Sequence, residues 1–404
     1  MLPRALDYLR CPVCLGTLRI LEDREFGPSS FDPTDDPPGC GHYCGARGQE
    51  RRTPTEGPCD ECWTQEIDLG LLECSRGHVF PVLRGIPRMD PGALVLHREL
   101  FEGRRSDVGE VARRALASLS GTASDGKDQF KATKRSFSME WDLWQPGDQT
   151  WIWDLESRKK QFAQEIDLPS LDTSRHLVLL DAGCGNGQLA AGIAQLGFEV
   201  FAIDLSFSVE RAHAIKTQVA GARARYVHYI QANLMQPPFA PESFDVVYSA
   251  GVLHHTPNTE RAFRKVLALT KPRGKGFSWL YCARRKPFKW LMAKLLRVFT
   301  VHMPPKALMF FCLALSWPIK IVTTILTKLR IRETAYRTHR EFAVSLFDEF
   351  SPRYQFHHTE KQVQGWFASL GFTGCTVTTF DRNGFGMTAI RAGRDGARSP
   401  NRDE

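Results

Sequence analysis

The feature that most constrains this chain is VLLDAGCGNGQLA, residues 178–190, a short apolar run ending in three alternate glycines that passes straight into a helical pattern. A continuous apolar run is what a strand buried on both faces needs. FEVFAIDL, YVHYIQANL, FDVVYSA and GFSWLYC repeat it downstream, and QLAAGIAQLG and TERAFRKVLALTK lie between with helical spacing. Strands alternating with helices of this length predict βαβ units around a parallel sheet, an α/β fold. With 42 % apolar residues the chain can build a core, which excludes a largely disordered protein.

Gly183, Gly185 and Gly187 let the backbone turn sharply and approach a ligand without a Cβ, and the helix behind them offers free N–H groups. Asp204 ends the next apolar run, 21 residues past Gly183, where a carboxylate can accept both hydroxyls of a ribose. The spacing is G-x-G-x-G, not the dinucleotide G-x-G-x-x-G. Asp181 at the strand end would repel a pyrophosphate and suits a cationic amino-acid ligand. Both details favour S-adenosylmethionine over a nicotinamide cofactor; the alternative is a tight turn beside an unrelated aspartate.

On these residues the chain resembles the class I S-adenosylmethionine-dependent methyltransferases, most closely the ubiquinone and menaquinone branch, over 175–282 and 341–390. The resemblance implies a doubly wound, Rossmann-like sheet of seven strands. It implies that Asp181, Gly183, Cys184, Gly185 and Gly187 wrap the methionine part. Asp204, followed by Leu205, would hold the ribose, and Asn233 and Leu234 would flank the adenine. Ala250 and Gly251 in FDVVYSAGVLHHTPN would lie beside the cofactor. The family more often has Asp where Asn233 stands; Asn still donates and accepts hydrogen bonds. His254 and His255 follow the fourth strand at the expected mouth of the site. Either could take a proton, with His255 preferred, although helix capping and loop packing account for a His pair equally simply. In LFDEFSPRYQFHHTEKQVQGWFASLGF the resemblance places acceptor-pocket residues, with Tyr354, His357 and His358 as candidates, before a helix that ends at Gly371.

Seven of the eleven cysteines precede residue 75. In a reducing compartment such clustering argues for metal more than for disulfides. Cys11 and Cys14 form a C-x-x-C knuckle, and Cys74 with His78 supplies a second pair; three thiolates and an imidazole make a closed tetrahedral zinc site. With HVFPVLRGIP behind it, this pattern resembles the zinc-ribbon modules, of the methyltransferase-activator type, that accompany methyltransferases. Cys40, Cys44, Cys59 and Cys62 lie in a long insertion and could form a second site, with His42 able to replace one ligand. Free or disulfide-bonded cysteines are the alternative. A closed site has no open position for chemistry, so the expected role is structural.

In the Trp-rich run SFSMEWDLWQPGDQTWIWDL, the part SFSMEWDLW, with Phe137 and Trp141 in an F-x-x-x-W pattern, resembles a segment that precedes the cofactor domain in some zinc-ribbon methyltransferases. It reads either as a lid over the cofactor or as aromatic packing between domains. Residues 283–340 are helical in pattern, apolar, and carry 13 Lys or Arg against the single acid Glu333, a net +12 that exceeds the +8 of the whole chain. ALMFFCLALSWPIKIVTTIL is nearly long enough to span a bilayer. Pro318 and Lys320 weaken that reading, and an interfacial helix pair fits better. The competing readings are a grip on RNA and a cap helix with solvated lysines.

The organisation expected is therefore a zinc-ribbon module with a Cys-rich insertion (1–90), a connector with the Trp-rich lid (91–174), and the cofactor-binding core (175–282). The basic helical insertion (283–340), the C-terminal part of the sheet (341–392) and a disordered tail (393–404) follow. The N-terminus has no apolar stretch resembling a signal peptide, so a cytoplasmic enzyme, peripheral to the membrane if the insertion docks there, is expected. The expected activity is methylation of a small or lipid-linked acceptor. An RNA base methyltransferase and a non-catalytic cofactor-binding scaffold are the alternatives.

Overall fold

In the computed structural model the described residues are all except 22–23, 28–36, 52–58, 105, 121–130, 144–153, 283–286, 330–337, 382 and 394–404. The QPGDQTWIW part of the Trp-rich run, six of the thirteen basic residues of the insertion and nearly all of the C-terminal tail lie outside them.

Seven strands form the central sheet: β1 (Val178–Ala182), β2 (Glu199–Asp204), β3 (Val227–Gln231), β4 (Phe244–Ala250), β5 (Thr270–Tyr281), β6 (Phe372–Phe380) and β7 (Gly384–Arg391). Their order is 3-2-1-4-5-7-6. The first five strands run parallel and β7 is antiparallel to both its neighbours. The apolar runs explain this: β1 and β3 are buried at every position, as a strand covered on both faces must be. The strand order reverses between β1 and β4, and the carboxyl ends of the strands at such a switch point are the usual ligand position.

Ten helices matter for the site and its surroundings: α1 (Asp107–Ser120), α2 (Lys131–Leu143), α3 (Leu155–Glu165), α4 (Gln188–Ala194), α5 (Ser208–Ala220), α6 (Thr259–Leu267), α7 (Pro287–Thr300), α8 (Pro305–Lys328), α9 (His339–Phe350) and α10 (Glu360–Ser369). Local chemistry sets several of their ends. Asp154 caps α3 through Ser157 N at 2.7 Å. Thr338 with Glu341, and Thr359 with Gln362, form reciprocal capping boxes on α9 and α10.

The cysteine-rich N-terminal part folds around an antiparallel sheet in which Ile67–Cys74 pairs with Leu18–Ile20 and with Val79–Leu83. It is not a separate bead. Met1, Ala5, Leu6 and Leu9 share one buried cluster with Val178, Phe201 and Phe244 of the central sheet. Arg4 forms a buried ion pair with Glu199 of β2 at 3.1 Å. Burial alone would raise the Glu199 carboxyl, but Arg4, His176 and His228 outweigh it and hold it well below the usual range. Arg88 and Met89 run beside Gln231, extending the sheet at its β3 edge.

The stretch 91–174, which the sequence suggests is a connector, divides. Helix α1 buries Val108, Val111 and Ala112 against Leu21, Leu71, Val79 and Leu83 of the N-terminal sheet. It therefore packs with the cysteine-rich part, because its apolar stripe has that face to cover. Helix α2 instead packs on the insertion, while its Lys134 pairs with Asp90 of the N-terminal part. There Met139 and Trp141 meet Leu308, Met309 and Cys312 of α8 and Val344 and Phe347 of α9.

Candidate functional site

The glycine loop leaves β1 at Asp181 and turns under the end of β2. Gly183 N and Cys184 N both donate to Ile203 O, at 2.8 and 3.0 Å. Gly183, Gly185 and Gly187 have φ of 95°, 54° and 73°, left-handed values that side chains disfavour. Space forbids a side chain as well. A Cβ would come within 2.4 Å of Val252 at Gly183, 2.6 Å of Trp141 at Gly185 and 2.3 Å of Ala212 at Gly187. The Tyr229 hydroxyl donates to Gly187 O at 2.7 Å and pins the far end of the loop.

Asp204 stands at the end of β2. Its Oδ2 accepts from Gly185 N at 3.0 Å, and its Oδ1 accepts from Ser206 N at 2.8 Å and Ser206 Oγ at 2.7 Å. The two lone pairs of Oδ1 are taken, and Oδ2 keeps capacity for a ligand hydroxyl. Asp181 is buried, and its carboxyl is pushed up to about 7, first by burial and then by Asp204. Burial also pushes the Cys184 thiol up. Leu205 accepts from Gln231 Nε2 through its carbonyl at 3.1 Å. Asn233 Oδ1 accepts from Met235 N at 2.9 Å, so this side-chain oxygen shapes the turn after β3, and Leu234 is buried in the core beneath. Ala250 ends β4. Gly251 has φ of 79° and nothing within 4 Å of where a Cβ would stand, so the loop there faces open space. A positive-φ glycine turn, a carboxylate on the adjoining strand and open space across from them fit S-adenosylmethionine.

Past Gly251 the surroundings become aromatic and acidic. His254 is fully buried, its ring stacks on Tyr281 at 3.9 Å, and neither ring nitrogen has a hydrogen-bond partner among the described residues. His255 Nδ1 donates to Tyr354 O at 2.9 Å; the acceptor is a carbonyl, which assigns the tautomer and leaves Nε2 as an acceptor. Burial lowers His255 to about 4, so it is neutral at pH 7. His357 stacks on Tyr281 at 5.5 Å, whereas the His358 ring packs edge-on against Trp366 of α10 at 4.9 Å. Tyr354 thus meets the His pair through its backbone, and its ring lies near Phe356.

The surroundings also hold groups that the sequence does not single out. Glu140 of α2 is fully buried, and its carboxyl faces that of Asp348 on α9 without a well-formed hydrogen bond. Burial, then Asp348, raises Glu140 well above the usual carboxylate range. Burial, then Glu349, raises Asp348 to about 7 against the pull of the Tyr281 hydroxyl. Burial, then Asp348, keeps the Tyr281 phenol protonated. Helix α2 spans this region: Phe137 lies 5.6 Å from the His255 ring, Ser138 Oγ accepts from Phe207 N at 2.9 Å, and Trp141 covers Gly185. The F-x-x-x-W pattern marks that helix in the sequence. Nothing local marks the pairing of Glu140 with a residue 208 positions away.

Residues 180–277 match the family model described as a methyltransferase domain. Over those residues the chain is similar to that domain. It is 33 % identical over 131 residues to the ubiquinone biosynthesis O-methyltransferases of Yersinia pestis and Yersinia pseudotuberculosis, 32 % of this chain and 51 % of theirs. The chain thus spans about half the length of the curated relatives it matches. Among solved structures it is similar to magnesium protoporphyrin IX methyltransferase from Synechocystis, at 14 % identity and a TM-score of 0.39, covering 67 % of this chain and 99 % of that one. Phosphoethanolamine N-methyltransferase 2 of Haemonchus contortus is similar at 15 % identity and a TM-score of 0.39, covering 66 % and 59 % respectively.

Two further clusters lie in the N-terminal part. Cys11, Cys14, Cys74 and His78 bring four ligand atoms within 4.8 Å of one another, as do Cys40, Cys44, Cys59 and Cys62. Sγ–Sγ distances are 3.8 Å for Cys14–Cys74, 3.6 Å for Cys40–Cys62 and 3.9 Å for Cys44–Cys59. A disulfide would hold its sulfurs at about 2.05 Å. A tetrahedron with bonds of about 2.3 Å to zinc has edges of about 3.8 Å, so both sets fit a zinc ion. His42 is not in the second set; its backbone N donates to Asp7 Oδ1 at 2.7 Å, in a fan of three such bonds that shapes the cysteine loop.

Proposed function

We propose that the protein is an S-adenosylmethionine-dependent methyltransferase acting on a small or lipid-linked acceptor. The observation that carries this is the positive-φ glycine loop, Asp204 at the end of the adjoining strand and the open space at Gly251. Helix α2 reaches from Gly185 through Trp141 to the His255 ring through Phe137, and the buried Tyr281, Glu140 and Asp348 lie beside it. When bound, S-adenosylmethionine supplies an electrophilic methyl on a sulfonium. Asp204 Oδ2 offers an acceptor for a ribose hydroxyl, Asp181 offers negative charge for the methionine end, and Asn233 and Leu234 border the adenine. Trp141 closes the loop from above and excludes water. An acceptor hydroxyl or amine loses its proton as the methyl arrives, and a carboxyl poised near neutrality is suited to receive it. Asp348 is therefore the preferred base, with neutral His255 Nε2 as a hydrogen-bond acceptor that orients the nucleophile. Tyr354, His357 and His358 line the approach. Positioning provides most of the rate.

Zinc at Cys11–Cys14–Cys74–His78 and at the four-cysteine set is proposed as structural, since four protein ligands close each site.

The test is transfer of label from methyl-labelled S-adenosylmethionine into cell extract, partitioned into organic, aqueous small-molecule and RNA fractions. Label in the organic or small-molecule fraction, absent with Asp204→Ala, supports the reading. Label confined to RNA overturns the acceptor class, and no label in any fraction overturns the activity.

A further inference from the structure

Helices α7 and α8 carry a surface that the folded chain leaves uncovered. On α8 the side chains of Leu308, Met309, Cys312 and Ser316 face inward against α9, and Ser316 Oγ lies 2.6 Å from His339 Nε2. The other side bears Phe310, Trp317, Ile321 and Ile325, which recur at helical spacing and are 75 %, 62 %, 54 % and 51 % exposed. Helix α7 adds Val298 and Phe299, the latter 73 % exposed. Single exposed apolar residues need no explanation; a contiguous aromatic and aliphatic stripe on neighbouring helices does.

Charge says what covers it. The segment 283–340 carries 13 basic residues and one acid, and Lys294, Lys306 and Lys328 are exposed on these helices. An apolar stripe flanked by lysines is built for the boundary of an anionic bilayer, where acyl chains take the stripe and headgroups take the ammonium groups. Pro305–Val322 is long and apolar enough to cross a membrane. Crossing would pull its inner face out of the cluster with α9, whereas lying flat leaves that cluster intact. A nucleic-acid surface would present polar and basic groups where this one presents Phe310, Trp317 and Ile321.

We propose that α7 and α8 dock the protein on an anionic lipid surface. The same helix pair packs on α9 and α2, which hold Asp348 and Glu140. Docking therefore holds these two acids next to the membrane, and the acceptor is lipid-linked. This last step rests on the activity proposed above; the docking itself does not.

The experiment is sedimentation of the full-length protein with vesicles of phosphatidylcholine alone and of phosphatidylcholine with phosphatidylglycerol. Wild type is expected to bind the anionic vesicles at least tenfold better than the neutral ones. Phe310→Ser/Trp317→Ser should lose at least tenfold on anionic vesicles while binding S-adenosylmethionine as wild type does, which shows that the variant is folded. Failure of zinc-loaded, folded wild type to bind any vesicle overturns the proposal. So does a lipid-free dimer that the double variant dissolves without any vesicle binding, which would make the stripe a contact between copies. So does RNA binding that the double variant keeps and Lys306→Glu/Lys328→Glu loses. Vesicle binding without S-adenosylmethionine binding would sustain the docking and overturn the activity.

Discussion

Asp181 shows how one buried carboxyl links the fold to the ligand. Its pKa is pushed up from 3.8 to about 7 by burial and by Asp204. A raised carboxyl is neutral below about pH 7 and must ionise above it. The cost to the fold therefore grows as pH rises from its unfolded value toward about 7, and is complete above that. A cationic ligand prefers the ionised form. Affinity for S-adenosylmethionine should then rise about tenfold between pH 6 and pH 8, measured by calorimetry, and Asp181→Asn should flatten the dependence. A flat wild-type profile would mean that the carboxyl does not face the ligand's charge. At this scale the cofactor loop was legible in the sequence, because its chemistry is local: three glycines, a strand before, a helix after and Asp204 one strand on. Glu140 and Asp348 were not legible. Each is an ordinary acid in its own helix, and only the packing of α2 on α9 takes both from water and sets them face to face.

Among the elements, α2 and α9 bring Glu140 and Asp348 face to face, so substitutions at these two acids should alter chemistry more than cofactor binding. Asp348→Asn is expected to lower kcat about 100-fold, within the range for loss of a positioned base. KM for the acceptor should change little, and Asp348→Glu should restore part of the rate. The acidic limb of the kcat profile, set by a carboxyl at about 7, should vanish in the Asn variant. An unchanged profile would transfer the role to His255. The strands and the helical insertion were readable from periodicity, because a strand buried on both faces admits only apolar residues. The partner of α1 was not readable. An amphipathic stripe states that a face must be covered and is silent about which surface covers it; here it is the N-terminal sheet rather than the central one.

The N-terminal part and the central sheet share one core, so their stabilities are coupled. Trp63, buried beside the four-cysteine set, packs on Tyr226 at 5.2 Å and beneath the Arg4 guanidinium at 5.5 Å. Arg4 in turn neutralises Glu199 inside the domain built on that sheet. Structural zinc contributes folding energy directly. Chelation should therefore lower the main thermal transition by more than about 10 °C, and the domain should lose helical signal in that same transition. Two separate transitions, with the domain's unchanged, would show that the parts are independent. The cysteine spacing announced the metal sets, whereas the buried ion pair that joins them to the sheet links residues 195 positions apart, beyond any local pattern.

The most direct test of the account is calorimetric titration of the zinc-loaded full-length protein with S-adenosylmethionine, wild type against Asp204→Ala. The account predicts one cofactor per chain and an affinity at least about tenfold weaker in the variant, the loss expected when charge-assisted bonds to the ribose are removed. A folded wild type that binds none, or an Asp204→Ala protein that binds as tightly, would contradict it.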